Sequence, residues 1–437
     1  MTAERTVSRW GVIRGVLSPQ SPVVVSLQAG VLSLLSSAAA VAQTIAITGG
    51  TVVTVSGARI PNGTVLIRDS LIVAVGANVV IPGDAVRVDA QGALVTPGLI
   101  NASSQVGLVE IPLGSETQET GVHRDVAASF SVAEGINPAS ILIPVTRIEG
   151  VTTALLTPSG RFVAGQSAVV DFAGETIEEM LVRSPFGMHV TLDESSREAG
   201  DGARAGTLAR LRQLLTDARD YGRRRADFDR AQMRQLAAPA ADLEALQPVL
   251  AGRMPLVVTA HRVFDIRNAL RLAREFNLRL ILAGAAEGWE IADEIARAQV
   301  PVLVVPLSNL PSFNALGARY ENAGRLSAAG VKVAIVAGGD PHNARLVRQE
   351  AGNAVSYGMD PDAAFRAVTL GAAEILGIQD RYGSLEPGKI ANVVVWSGDP
   401  FEFSTAVRHV WIRGRAIPLT SRQTELLERY RTLPPRN

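Results

Sequence analysis

Between Gly98 and Gly339 the chain alternates two kinds of segment, and this alternation constrains its fold more than any other feature. Short continuous apolar runs recur as GLINAS (98–103), VTTALLTP (151–158), GMHVTL (187–192), PLVVTAH (255–261), LRLILAG (278–284), VPVLVVP (300–306) and VKVAIVAGG (331–339). Runs that are apolar on both faces suit parallel strands covered on each side. The stretches between them carry helical spacing. In 262–277, Ile266, Ala269, Leu270, Ala273 and Phe276 share one face, with arginines opposite. Repeated strand–helix units, with no G-x-G-x-x-G after the first strand, predict an α/β chain built as a TIM-type (β/α)8 barrel rather than an open doubly wound sheet. The flanks follow another grammar. Residues 44–97 break into short β-type runs at Gly49-Gly50, Asn62-Gly63 and Pro82-Gly83, and β-rich runs return at 391–398 and 407–418.

The first 42 residues read as an address. Arg5, Arg9 and Arg14 precede a charge-free stretch, Pro22 to Ala42, that ends Ala40-Val41-Ala42. A basic start, an apolar middle and a small-x-small ending predict a secretory signal peptide over 1–42, cleaved near Ala42, and a periplasmic or secreted protein. The stretch is also long enough for a retained anchor, which stays open. No twin-arginine pair is present, and no later run approaches transmembrane length, so no membrane contact is expected after cleavage.

Composition narrows the chemistry. With 42 basic and 42 acidic side chains the net charge is zero, which argues against nucleic acid as a partner. The Arg-rich stretch from Arg219 to Arg234 is interleaved with Asp220, Asp227 and Asp229, as a solvated helix face would be. There is no cysteine, hence no disulfide, thiolate nucleophile or Cys-ligated metal. Only five histidines occur: His123, His189, His261, His342 and His409. Two motifs come close and fail. Gly383 to Lys389 has phosphate-loop spacing, but Ile390 replaces the Ser/Thr and a strand follows. Gly165-Gln166-Ser167-Ala168-Val169 lacks the closing glycine of a nucleophile elbow and reads as a turn entering the strand SAVVDF.

The informative segments are VTPGLINASSQVGL (95–108), the run 135–180 and GSLEPGKIANVVVWSGDPFE (383–402). With the β-rich 44–97 stretch they resemble the amidohydrolase superfamily, and within it an exported, imidazolonepropionase-like branch, across essentially all of 44–420. The resemblance implies a barrel (98–382) beside a small composite β-sandwich built from both chain ends (43–97 and 383–420), with a tail or helix over 421–437. It also implies hydrolysis of C–N bonds in cyclic amides or dipeptide-like substrates, through one or two divalent metals.

Carried across residue by residue, the resemblance exposes substitutions. Where the family's first strand reads P-G-L-I-D-x-H-x-H, this chain has Asn101, Ser103 and Gln105. Two later ligand histidines are replaced by Thr259 and Gly284, and His189 stands where a lysine is common. Asp340 keeps the position of the family's catalytic acid. Hydroxyls and amides are weak neutral ligands and glycine is none, so no tightly held metal is expected; zinc would require a rebuilt site. The expectation is a degenerate member acting as a binding or partner subunit for a small-molecule or peptide-like ligand, as a homo-oligomer or beside an intact relative. The alternative is an active hydrolase using Asp340 with His261 or His342, its metal relocated or absent. Asp340 stays open between a pocket role and capping the next helix. His261 and His342 stay open between function and packing, and His123 and His409 are expected to be structural.

Overall fold

The computed structural model describes residues 43–308, 312–338 and 340–432; the expected leader, 1–42, lies outside them. Strands β1 (Thr44–Val52), β2 (Ile60–Arg68), β3 (Leu71–Gly76), β4 (Val86–Asp89) and β5 (Leu94–Pro97) come from the first β-rich stretch. The staves follow as β6 (Leu99–Ser104), β7 (Val151–Leu156), β8 (Val163–Gln166), β9 (Ala168–Asp171), β11 (Met188–Thr191) after the short β10 (Leu181–Arg183), β12 (Leu256–Ala260), β13 (Leu280–Gly284), β14 (Val302–Val304) and β15 (Val333–Ile335). All seven apolar runs are therefore strands. The chain returns through β16 (Val393–Trp396), β17 (Val407–Ile412) and β18 (Arg415–Ala416) to a helix, Arg422–Tyr430.

Both chain ends share one sheet, ordered β18-β17-β16-β5-β1-β2-β3 with β4 beside β1. The join is the antiparallel β5–β16 ladder, Val95 opposite Val395. The staves form β6-β7-β9 and β8-β11-β12-β13-β14-β15, made continuous by the run through Ser167, and β15 packs beside β6. One stave departs from the expected all-parallel pattern: β8 and β9 run antiparallel to β11 and β7. The connection from β7, residues 157–162, is too short for a crossover helix, so the chain must turn back as a hairpin. Alternation divides each stave. Ile100, Leu155, Val169, Val257, Ile281 and Leu303 form one buried cluster, the lumen, joined by the helix Leu370–Leu376. Leu99, Val258, Leu282 and Val304 pack outward with the helices. The helix Val263–Phe276 buries the five apolar residues read from its periodicity.

Sheet and barrel are tied where the chain passes between them. A Cβ on Gly98 would stand 2.2 Å from Thr152 Oγ1, so only glycine fits, and its N–H donates to the Asn392 carbonyl. The fully buried Asp171 accepts from Thr153 Oγ1 (2.8 Å) and Asn392 Nδ2 (3.0 Å) on one oxygen. On the other it accepts from Tyr382 OH (2.9 Å) and Arg413 Nε (2.6 Å). Removing the carboxylate strands four buried or half-buried donors. Asp171→Ala is expected to cost about 3–5 kcal/mol of unfolding free energy in denaturant titrations, and Asp171→Asn less.

Candidate functional site

The C-terminal ends of the staves form the mouth where a barrel of this kind carries its chemistry. Strand register sets its rows. Thr191, Thr259, Ala283, Leu303 and Ala334 are successive neighbours across β11 to β15 and form one level. That level offers two hydroxyls and three hydrocarbon side chains. On β6, Ser103 Oγ lies 3.4 Å from Thr157 Oγ1, and Gln105 is half-buried. Asn101 is fully buried and donates to the Ala344 carbonyl at 3.3 Å, tying β6 to the loop after β15.

His261, just past β12, is mostly buried. Burial pushes its imidazole below the ordinary value, against the opposing pull of Asp193 and Glu287, so it is held toward the neutral form. Its Nε2 stands 3.9 Å from Asp193 Oδ2. The ring lies over Gly284: a Cβ there would stand 2.4 Å from His261 Cε1, and Gly284 has φ +86°. Position 284 can therefore carry no ligand side chain while His261 keeps this place. His261 does not cap the following helix. Glu287 does so instead, accepting from Val263 N–H at 2.9 Å on one oxygen and from Gly317 N–H at 2.9 Å on the other. Asp193 Oδ1 accepts from the N–H and hydroxyl of Ser195 at 2.8 and 2.6 Å. Alongside, Arg204 bridges Asp265 (2.5 Å) and Glu194 (2.7 Å). Burial outweighs Arg204 and lifts the Asp265 carboxyl to about 6.

His189 sits one row lower on β11, level with Val257. It is buried and its Nε2 meets no hydrogen-bond partner among the described residues. Burial drives its pKa down to about 3, so it is a neutral imidazole in the lumen. Asp340 and His342 are solvent-exposed. Asp340 precedes the 3-10 turn Pro341–Leu346 without a side-chain capping bond; only its carbonyl accepts, from Asn343 N–H. His123 borders a separate polar recess of about 720 Å³ with Arg124 and Arg161, and His409 stacks on Trp411.

The structure thus gathers His261 with Asp193 and Glu287, two acids that sequence reading passed over. Their signal was position, since each lies within three residues of a strand end. Among the described residues no three His, Asp or Glu side chains are grouped to hold a metal ion. The metal that this barrel class implies therefore has no fitting donor set at its expected positions: hydroxyls, an amide and a glycine stand there, and the ring of His261 fills the gap beside Gly284.

Comparison with known proteins agrees with the fold. The amidohydrolase family model matches residues 291–417. A crystal structure of an amidohydrolase from Thermotoga maritima MSB8 superposes with a TM-score of 0.79 at 28% identity, over 86% of this chain and 99% of that one. A Xaa-Pro dipeptidase with bound methionine in its active site shares the fold, with a TM-score of 0.56 at 15% identity over 86% of this chain and 100% of its own. The amidohydrolase tasK of Hapsidospora irregularis is 25% identical over 81% of this chain, which spans only 40% of that protein's length. A barrel with these staves, opened by a Pro97-Gly98 entry strand and matched along its length in this way, defines a class of hydrolase scaffold. The family model and these likenesses support membership of the amidohydrolase superfamily.

Two outcomes test this geometry. Gly284→Ala is expected to cost about 1–3 kcal/mol, from its positive φ and the His261 ring. In a His261→Ala background the cost is expected to shrink, and a double-mutant cycle on denaturant midpoints measures the coupling. For His189, the unfolded chain takes up a proton below about pH 6.5 while the folded chain does not until about pH 3. Its contribution to stability is therefore full above 6.5 and is lost as pH falls through that window. Between about pH 8 and 5, His189→Leu is expected to lose about 2 kcal/mol less stability than the parent.

Proposed function

We propose that this amidohydrolase-superfamily chain has lost the hydrolytic activity of its relatives, or keeps little of it, and acts as a binding or partner subunit. The observation that carries this is the neutral row at the Thr259 level together with Ser103, Gln105 and Gly284. Activation of water in such a barrel needs a metal or a base converging on one point, and these positions supply neither. The remaining groups do not replace them as a set. His261 has Asp193 and Glu287 as its charged neighbours, whereas Asp340 and His342 are solvent-exposed. This favours loss over metal-free hydrolysis through Asp340 with His261 or His342.

The occupant of the mouth is then a small-molecule or peptide-like ligand. A structural neighbour named as a Xaa-Pro dipeptidase supports the peptide-like class, and two hydroxyls in one row with hydrocarbon side chains suit hydrogen bonding to a neutral amide. The protein works in the periplasm or outside the cell, on the strength of its first 42 residues; among the described residues no helix is long and apolar enough to cross a membrane. It assembles as a homo-oligomer or with an intact relative.

Elemental analysis of protein purified without chelator is the test, paired with a panel of dipeptides and cyclic amides. The expected result is far less than one zinc per chain and no chelator-sensitive cleavage. About one equivalent of zinc per chain with such cleavage overturns the reading. Cleavage that persists without metal and disappears in Asp340→Asn replaces it with the metal-free hydrolase.

A further inference from the structure

A recess of about 1360 Å³ lies away from the mouth. It lies between the helix Val263–Phe276 and the helix Ala292–Arg297, and it reaches Pro255, Leu280, Pro301 and Lys332. These residues precede or open β12, β13, β14 and β15, so the groove opens toward the end of the barrel opposite the mouth. Its lining holds six cationic side chains, Arg267, Arg271, Arg274, Arg279, Arg297 and Lys332, against two carboxylates, Glu294 and Glu374.

The carboxylates are already in use. Arg267 makes a forked pair with Glu294, at 3.0 and 2.5 Å. Hydrogen bonds from Arg267, with Arg297 and Arg274 close by, hold Glu294 below the usual carboxylate range. Glu374 is shared between Lys332 and Arg366. Among the described residues Arg271, Arg274, Arg279 and Arg297 have no carboxylate within ion-pair distance. Arg271 bonds the Asn268 amide oxygen and Arg297 the Asp293 carbonyl. The chain as a whole is neutral, so this excess of four positive charges is local. Phe264, 60% exposed, adds an apolar contact at one end.

We infer that this groove is a docking site for an acidic segment of a partner protein, one carrying an apolar residue that packs on Phe264. A concave wall of guanidiniums pairs with carboxylates in a forked geometry that lysines do not offer, and such complementarity sets partner choice and encounter rate. A neutral chain with its excess charge confined to one recess lacks the broad basic face that a nucleic-acid backbone demands. The site is independent of the mouth and of whether the chain hydrolyses anything.

The test is fluorescence anisotropy with the full chain and a short fluorescein-labelled peptide, Glu-rich with one central Phe. Micromolar binding is expected, weakening steeply as salt rises above about 100 mM. Arg271→Glu with Arg274→Glu is expected to weaken it at least about tenfold, and Phe264→Ala about threefold; Asp340→Asn is expected to leave it unchanged. Both groove arginines are exposed on one helix, and an unchanged melting curve separates loss of binding from loss of fold. No binding at millimolar peptide, or binding indifferent to the charge reversal, overturns the inference. Equal or tighter binding of a single-stranded oligonucleotide of matching charge, lost in the same double variant, overturns it in favour of a general polyanion site.

Discussion

A single buried carboxylate holds the two halves of this molecule in register. Asp171 ends the one stave that runs against its neighbours, and its two oxygens collect donors from β7, from the segment entering β16 and from the turn between β17 and β18. Each oxygen is satisfied twice and Arg413 lies in ion-pair contact, which offsets the cost of burying this group. Asn392 serves both sides of the seam. Its side chain donates to Asp171, its carbonyl receives the Gly98 N–H, and its amide oxygen receives the Arg413 N–H. The β5-to-β6 passage, and with it the position of Ser103 and Gln105 at the mouth, is thereby fixed from the far end of the chain.

Much of this was legible in the sequence because hydrophobic period survives tertiary context. All seven buried-type runs became staves, and the face read from Ile266, Ala269, Leu270, Ala273 and Phe276 is the buried one. The antiparallel stave was not legible. SAVVDF reads as a strand in either direction, and only the shortness of 157–162 reveals the reversal. The Asp171 cluster was equally hidden, since Tyr382, Asn392 and Arg413 lie more than two hundred residues from Asp171 and share no periodicity with it.

At the mouth, sequence identified which positions differ from the family but not what took their space. The row through Thr259 follows from register, a property of pairing rather than of any one strand. The relation between His261 and Gly284 follows from a positive φ and a ring laid across it, neither visible in the letters. Asp193 and Glu287 escaped notice because their bonds go to backbone N–H groups and, for Asp193, the hydroxyl of Ser195 two residues on, which carry no sequence signature of a site. Their role is to hold the loops after β11 and β13 in place, with Glu287 capping the helix that begins past His261.

His189 shows what burying an imidazole costs in this lumen. A metal-ligand cluster is stable in a barrel lumen because the cation offsets the cost of burying imidazoles and carboxylates. His189, buried in the lumen, is held in its neutral form and leaves a nitrogen without a partner among the described residues. Each such group costs stability as a buried polar atom. Serine and threonine find partners locally, as Ser103 and Thr157 do, and glycine presents nothing to satisfy. The neutral row at Thr259 carries no such cost, and His261 lies toward the mouth, with Asp193 and Glu287 beside it.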